Sequence, residues 1–292
     1  MPDIPFLDAA LLSLAAAIGF GLAIVVTQFG LRHISPGAGA VVSVWTCCVL
    51  FWLAAIFGLD TTGWSGQALV LFAIVSLFFP GMVTILNFEA NLRLGPTLAG
   101  TISGTAPLFA IGGAALMLAE ALTLRSVTGT VAVVLGVAAL TWRDKEALRQ
   151  WRPRALLIPL AAAAGRGLAQ TVLKAGLVLW PNPFAALLMG YTVSTATVTT
   201  LGRLRAGREG LALRRRGVLW FMFVGILNGA ATLIMYMALS RGPVALVSPI
   251  AASFPLFTLL FSALLLRQER LTWRIAAGVV LTVSGVILLL LR

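Results

Sequence analysis

Charge is what this sequence has least of. Only 10% of its 292 residues are Asp, Glu, Lys or Arg, against about 25% in a soluble domain, so the chain lacks the polar surface needed to sit in water. Acids are scarcer than bases, 9 against 21, giving a formal net charge of +12. In a soluble chain that excess would suggest nucleic acid. Here the bases collect in short segments between apolar runs, the pattern of cytoplasmic loops on a membrane protein, and no nucleic-acid partner is expected.

Cysteine and histidine are nearly absent too. Cys47 and Cys48 sit side by side in an apolar run and cannot form a disulfide framework, so they read as packing residues. His33 stands alone, and no nucleophile lies beside a base. No metal, cofactor or catalytic constellation is therefore expected, and the chain does not read as an enzyme; an intramembrane enzyme is the non-transporter alternative. Met1 to Asp8 carries acids but no Lys or Arg, so no cleavable signal peptide is expected. Loops of at most about sixteen residues leave no room for a soluble receptor domain. A channel would show a ring-like polar filter, whereas the polar groups here are scattered over unlike helices.

What is present is hydrophobic: 60% of residues. They fall into ten apolar segments of about 20 residues, the length that spans a bilayer. The segments lie near 9–31, 37–59, 67–91, 96–119, 124–142, 155–180, 184–201, 218–240, 243–266 and 272–291. Gly95-Pro96 opens the fourth, and Pro181-Asn182-Pro183 separates the sixth from the seventh.

The two halves repeat each other. Gly95-Pro96, Pro107-Leu108-Phe109, Glu120, Leu122-Thr123, Arg125, Gly129 and Gly136 return as Gly242-Pro243, Pro255-Leu256-Phe257, Glu269, Leu271-Thr272, Arg274, Gly278 and Gly285. Upstream, Gly19 and Gly21 match Gly165 and Gly167, and Gly30-Leu31 matches Gly176-Leu177. The halves are thus 1–146 and 147–292, with five helices each. An odd number of spans per repeat inverts the second half. The charges agree: loops after the odd-numbered helices hold sixteen Lys or Arg, and the opposite face holds only Arg125, Arg241 and Arg292. That bias puts the odd loops in the cytoplasm and both termini outside, in a bacterial inner (plasma) membrane. The expected fold is an all-α membrane protein of ten transmembrane helices in two inverted five-helix repeats, the architecture of a secondary transporter.

The elements Gly242-Pro243-Val244-Ala245, Ser248-Pro249, Pro255-Leu256-Phe257 and Glu269-x-Leu-Thr with Gly278 resemble the ten-helix EamA-type exporters of the drug/metabolite transporter superfamily. The resemblance implies a bundle that exports small metabolites, often amino acids, by alternating access. It implies that helices one to four and six to nine surround a cavity, with five and ten outside. Small four-helix relatives couple transport to protons through a glutamate in their first helix. This chain has no acid between Asp8 and Asp60, so that role does not carry over.

Function then depends on polar residues that the membrane makes costly. A charge at the bilayer centre costs about 2.5–3.5 kcal/mol even on lenient scales. Arg166 lies eleven residues into segment six, about 16 Å deep, with Gln170 and Lys174 on the same stripe. It reads either as an anion site or as a structural cation paired with Glu89 or backbone carbonyls; Lys174 reads as snorkelling outward. Glu89 has Arg93 at i+4 and reads as an interfacial ion pair, with proton coupling or an ammonium contact as the sharper alternative. Asn228, Thr232 and Tyr236 share one face of segment eight, and Tyr236 aligns with Glu89. Cavity lining competes there with a helix–helix seam. Tyr191 joins the candidate set, while the neighbouring hydroxyls of segment seven can each bond their own helix. Phe20, Trp45, Phe79 and Met82 are candidates for an apolar wall. Glu120 and Glu269 read as capping residues. Pro107, Pro249 and Pro255 fall inside segments four and nine and read as hinges or as static bends.

The composite expectation is a secondary transporter of small amphiphilic metabolites. Amino acids come first, large neutral or aromatic ones among them, and organic anions or phosphorylated metabolites are the alternative. Its partners are a small-molecule solute and the lipid bilayer; a coupling proton and the oligomeric state stay open.

Overall fold

The computed structural model describes residues 4–140, 153–206, 213–266 and 273–291. Among them the chain is helical throughout, in twelve segments. The first half gives α1 (Ile4–Leu31), α2 (Pro36–Gly58), α3 (Gly66–Ser76), α4 (Gly81–Ser103), α5 (Ala106–Met117) and α6 (Leu124–Leu140). The second gives α7 (Pro153–Leu179), α8 (Pro183–Ala206), α9 (Arg215–Arg241), α10 (Val244–Ala251), α11 (Phe254–Leu266) and α12 (Trp273–Leu290). Seven stretches are long and apolar enough to cross a membrane by length and composition, and three shorter apolar helices accompany them: Ala106–Met117, Leu124–Ala139 and Ile275–Leu290.

The helix boundaries depart from the ten segments in two places. The stretch expected as one helix over 67–91 breaks at 77–80, because Pro80 has no amide hydrogen to continue the ladder. The hydroxyl of Ser194 seals the break, donating to the Ser76 carbonyl at 2.9 Å and accepting from Gly81 N–H at 3.0 Å. Thr192, Thr195, Thr197 and Thr199 bond their own helix four residues back, and Thr192 and Thr199 also accept from Trp52 and Trp45 on α2, so Ser194 is the hydroxyl that bridges the 77–80 break. The helical backbone of α4 runs on through Gly95-Pro96, yet the chain reverses between Asn87 and Ser103, whose side chains meet at 3.4 Å. The apolar span before it ends at Leu94, in keeping with Gly95-Pro96 opening the next segment.

A second break is shared by both halves, at Gly104–Thr105 and at Ala252–Ser253. Pro107 and Pro255 therefore stand in the first turns of α5 and α11, where a missing N–H costs nothing. They start helices rather than kinking them, which corrects their assignment to helix interiors. Pro249 is inside α10.

The halves pack through exchanged contacts. α1 lies chiefly on α9, and α7 lies on α3 and α4; α1 also meets α10 and α11, and α7 meets α5. The matched glycines explain why. A Cβ on Gly21 would come within 2.7 Å of Phe257 Cβ, and one on Gly167 within 2.7 Å of Phe109 Cβ. The Phe of each Pro-Leu-Phe motif thus seats on a glycine near the start of its neighbour repeat. Gly30 faces the Phe221 ring and Gly176 the Phe72 ring in the same reciprocal way, and both rings are fully buried. In lipid the tails are as apolar as the side chains, so such close packing, rather than expulsion of water, holds helices together. At the periphery α6 and α12 pair through Gly129, Gly136 and Gly285, with Gly136 against Thr282 and Gly285 against Val133.

Glu120 does not cap its own helix. Ala119 turns left-handed at φ 51°, and the Glu120 carboxylate then accepts Val244 N–H at 3.0 Å and Ala245 N–H at 3.2 Å, the free donors at the start of α10 in the other half. Glu269 and most of the basic residues of the 143–154 and 267–270 segments lie outside the described residues.

The reciprocal contacts make a sharp prediction for thermal stability in detergent. Gly21→Ala and Gly167→Ala each meet a backbone or Cβ atom that has nowhere to move, so each lowers stability by about 1–3 kcal/mol. Gly37→Ala, with nothing within 4 Å, leaves the melting midpoint unchanged or slightly raised.

Candidate functional site

One large cavity opens between the halves, with about 1190 Å³ of empty space including its mouth. Its wall is drawn from α1, the 79–80 break, α4, the start of α5, α7, α8, α9, α10 and the head of α11. Among the described residues, none from α2, α3, α6 or α12 lines it. The apolar part of the wall includes Phe20, Ile24, Phe79, Val83, Phe88, Leu173, Met235 and Phe254. Such a mix of apolar surface and a few convergent polar groups is the usual make-up of a small-molecule site.

Among the described residues lining the cavity, Arg166 is the only charged one. Its guanidinium sits over two rings, 5.8 Å from the centroid of Phe20 and 5.6 Å from that of Phe254, one from each half. Ring faces attract a cation by about 0.5–2 kcal/mol, which orients the group but does not neutralise it. Among the described residues no acid pairs with it, since Glu89 is taken by Arg93 at 2.6 Å.

Gln170, one turn on, also faces the cavity, and its buried Oε1 has no hydrogen-bond partner; the same holds for Ser248 Oγ on α10. Lys174, the third member of the stripe, does not snorkel outward. Its Nζ donates to the Leu239 carbonyl at 2.7 Å, near the C-terminal end of α9, where exposed carbonyls favour a cation.

The structure brings together eight of the eleven candidate side chains: Phe20, Phe79, Arg166, Gln170, Tyr191, Asn228, Thr232 and Tyr236. Three are not on the wall. On α4 the inward stripe is Val83, Asn87 and Asn91 with Thr84 and Phe88, and Glu89, two positions from Asn87, points about 200° around the helix. The alignment of Tyr236 with Glu89 therefore does not carry the inward direction across. Met82 is 39% exposed, one residue off the same stripe. Trp45 is on α2, which has no share in the wall, and its Nε1 donates to Thr199 Oγ1 at 2.9 Å.

Asn87, Asn91, Thr84, Ser103, Ser248 and Phe254 are wall residues that sequence reasoning missed. The spacing 83, 87, 91 is the sequence signal for this face, a quieter one than the charge of Glu89. Ser103 Oγ donates to Asn87 Oδ1 at 3.4 Å, joining the parts of α4 on either side of Gly95-Pro96. Among the described residues no cluster of His, Cys, Asp or Glu could hold a metal ion.

The sequence profile of the EamA-like transporter family matches this chain twice, over residues 7–142 and 153–291. A comparison with functionally described proteins gives no match. Among 29 solved chains that match, one, titled only as the crystal structure of a protein, superposes with a TM-score of 0.75 at 16% identity over 96% of both chains. At that identity it shows a shared fold and nothing more.

The geometry separates two neighbouring polar groups of α4. Glu89→Gln removes a half-exposed helix-surface ion pair, so solute affinity measured by calorimetry stays within about twofold and stability falls by less than about 1 kcal/mol. Asn87→Leu, on the wall, lowers affinity at least fivefold or so in the same assay.

Proposed function

The chain belongs to the EamA-like transporter family, and we propose that its solute is a small amphiphile bearing a carboxylate, an amino acid with a large neutral or aromatic side chain before any other. Membership makes it a multi-pass membrane transporter of the drug/metabolite superfamily. The solute class rests on one observation: a cation held between two rings faces a cavity whose other lining residues, among those described, carry no charge.

An unpaired guanidinium in a poorly hydrated site is stabilised by whatever anion enters, and its fork matches a carboxylate bidentately. The solute's own hydrogen-bond donors meet Gln170 Oε1, which lacks one. Its side chain lies along Phe79, Phe88, Leu173 and Met235. A phosphorylated solute carries a charge of about −1.5 to −2 and calls for more than one cation. Lys174 would be that second cation, but it is committed to the Leu239 carbonyl. One charge on the wall therefore favours carboxylates over phosphates.

In this reading the halves 1–146 and 147–292 are inverted repeats and move against each other by alternating access, exporting solute across the bacterial inner membrane. Both termini then lie outside and the odd-numbered loops in the cytoplasm. Pro249, within a short helix on the cavity wall, is the remaining hinge candidate. No carboxylate lines the cavity among the described residues, so a coupling proton would be carried elsewhere.

Counterflow in proteoliposomes, screening neutral amino acids, their amides, organic phosphates and organic cations, tests this. Amino acids compete and their amides do not. Arg166→Ala weakens the carboxylate solutes about 30-fold or more, the cost of losing a buried charged hydrogen-bond partner, while the amides are unaffected. Equal competition by amides, or a variant that keeps full carboxylate preference, overturns the assignment.

A further inference from the structure

α10 is an eight-residue helix isolated at both ends, by Gly242-Pro243 before it and by the Ala252–Ser253 turn after it. All eight residues are buried. Such a short helix has little stability of its own, since most of its backbone groups are end groups. Its N-cap residue, Pro243, supplies no side-chain hydrogen bond. The free donors at its start are met instead by Glu120, from the other half of the chain, through both carboxylate oxygens. Ala119 adopts a left-handed backbone, rare for a residue with a Cβ, one residue before Glu120.

The far part of α10 carries Ser248, whose buried hydroxyl faces the cavity without a partner. One helix therefore presents an unsatisfied group to the solute space and hangs at its other end from a carboxylate of the opposite repeat. The charges around that end are few. Lys174 on α7 lies within Coulombic reach of Glu120. Asp8 on α1 and Arg241 on α9 pair with each other at 3.7 Å, and α5 and α10 have no charged residue.

The geometry points to Glu120 as an inter-repeat latch on α10, a positioning residue for the transport cycle, and to Ser248 as the solute contact through which an occupied cavity loads that latch. The inference rests on the transporter reading above. With the latch closed, α10 is clamped between the halves and Ser248 stays buried in the cavity wall. When it opens, the amides of Val244 and Ala245 lose a charged acceptor, and the helix can swing about Gly242-Pro243 to uncover the cavity. Lys174, fixed on the Leu239 carbonyl, holds the end of α9 against which α10 turns.

The test is the rate at which a charged maleimide modifies Ser248→Cys in full-length protein in detergent, with the buried native Cys47 and Cys48 as the baseline. It needs no solute, so it can fail while the solute assignment stands, and the reverse. With Glu120 intact, modification is slow. Adding Glu120→Gln removes the charge from both hydrogen bonds and speeds modification about tenfold or more, the shift that one charge-assisted bond exerts on a closed–open equilibrium. Glu120→Asp, which keeps the charge on a shorter arm, gives an intermediate rate and serves alone if the Gln variant does not fold. A cap with only a structural role would lower the melting midpoint and leave the modification rate unchanged. That result, or an Asp variant labelled at the parental rate, overturns the latch.

Discussion

In hydrocarbon no water completes a hydrogen bond, so every backbone group and every charge must find its partner within the protein or face a wet cavity. That single constraint organises this molecule. Uninterrupted helices satisfy it by themselves. Wherever the ladder is cut, something specific closes the gap: Ser194 across the 77–80 break, Glu120 at the head of α10, prolines where no amide hydrogen is needed. Lys174 finds a carbonyl, and Glu89 finds Arg93. Arg166, the one charged residue among the described residues of the cavity wall, is left to the cavity.

The second organising feature is close packing between duplicated surfaces. Each repeat supplies a glycine early and an aromatic late, and each aromatic rests on the other repeat's glycine. The arrangement fastens six helices, α1 to α9 and α11 and α7 to α3 and α5, yet makes few polar commitments there. Helices joined in this way are held by close approach rather than by hydrogen bonds. The α6–α12 pair, closely packed and away from the cavity, fits a static support.

Much of this was legible in the residues. The repeat was, because glycine and proline spacing survives where apolar side chains drift. So were the inward stripes of α7 and α9, since Arg166 with Gln170 and Asn228 with Thr232 and Tyr236 sit four apart, and polar groups at that period in lipid have one place to go. The inward face of α4 was misjudged because the one acid, Glu89, outweighed the quieter run of Asn87 and Asn91. Pro107 and Pro255 were placed mid-helix because the turn before each, Gly104–Thr105 and Ala252–Ser253, carries no stop signal strong enough to show in an apolar run. The partner of Glu120 was beyond reach of local reading, being 124 residues away in the other repeat.

The account stands on the uncompensated guanidinium as the seat of a solute anion. A solute-bound structure of the protein, obtained with a carboxylate that it transports, addresses this most directly. The account predicts the carboxylate in the plane of the Arg166 fork, between the rings of Phe20 and Phe254, with the apolar body toward Phe79 and Met235. A solute seated elsewhere, with Arg166 engaged by a protein carboxylate instead, would contradict it.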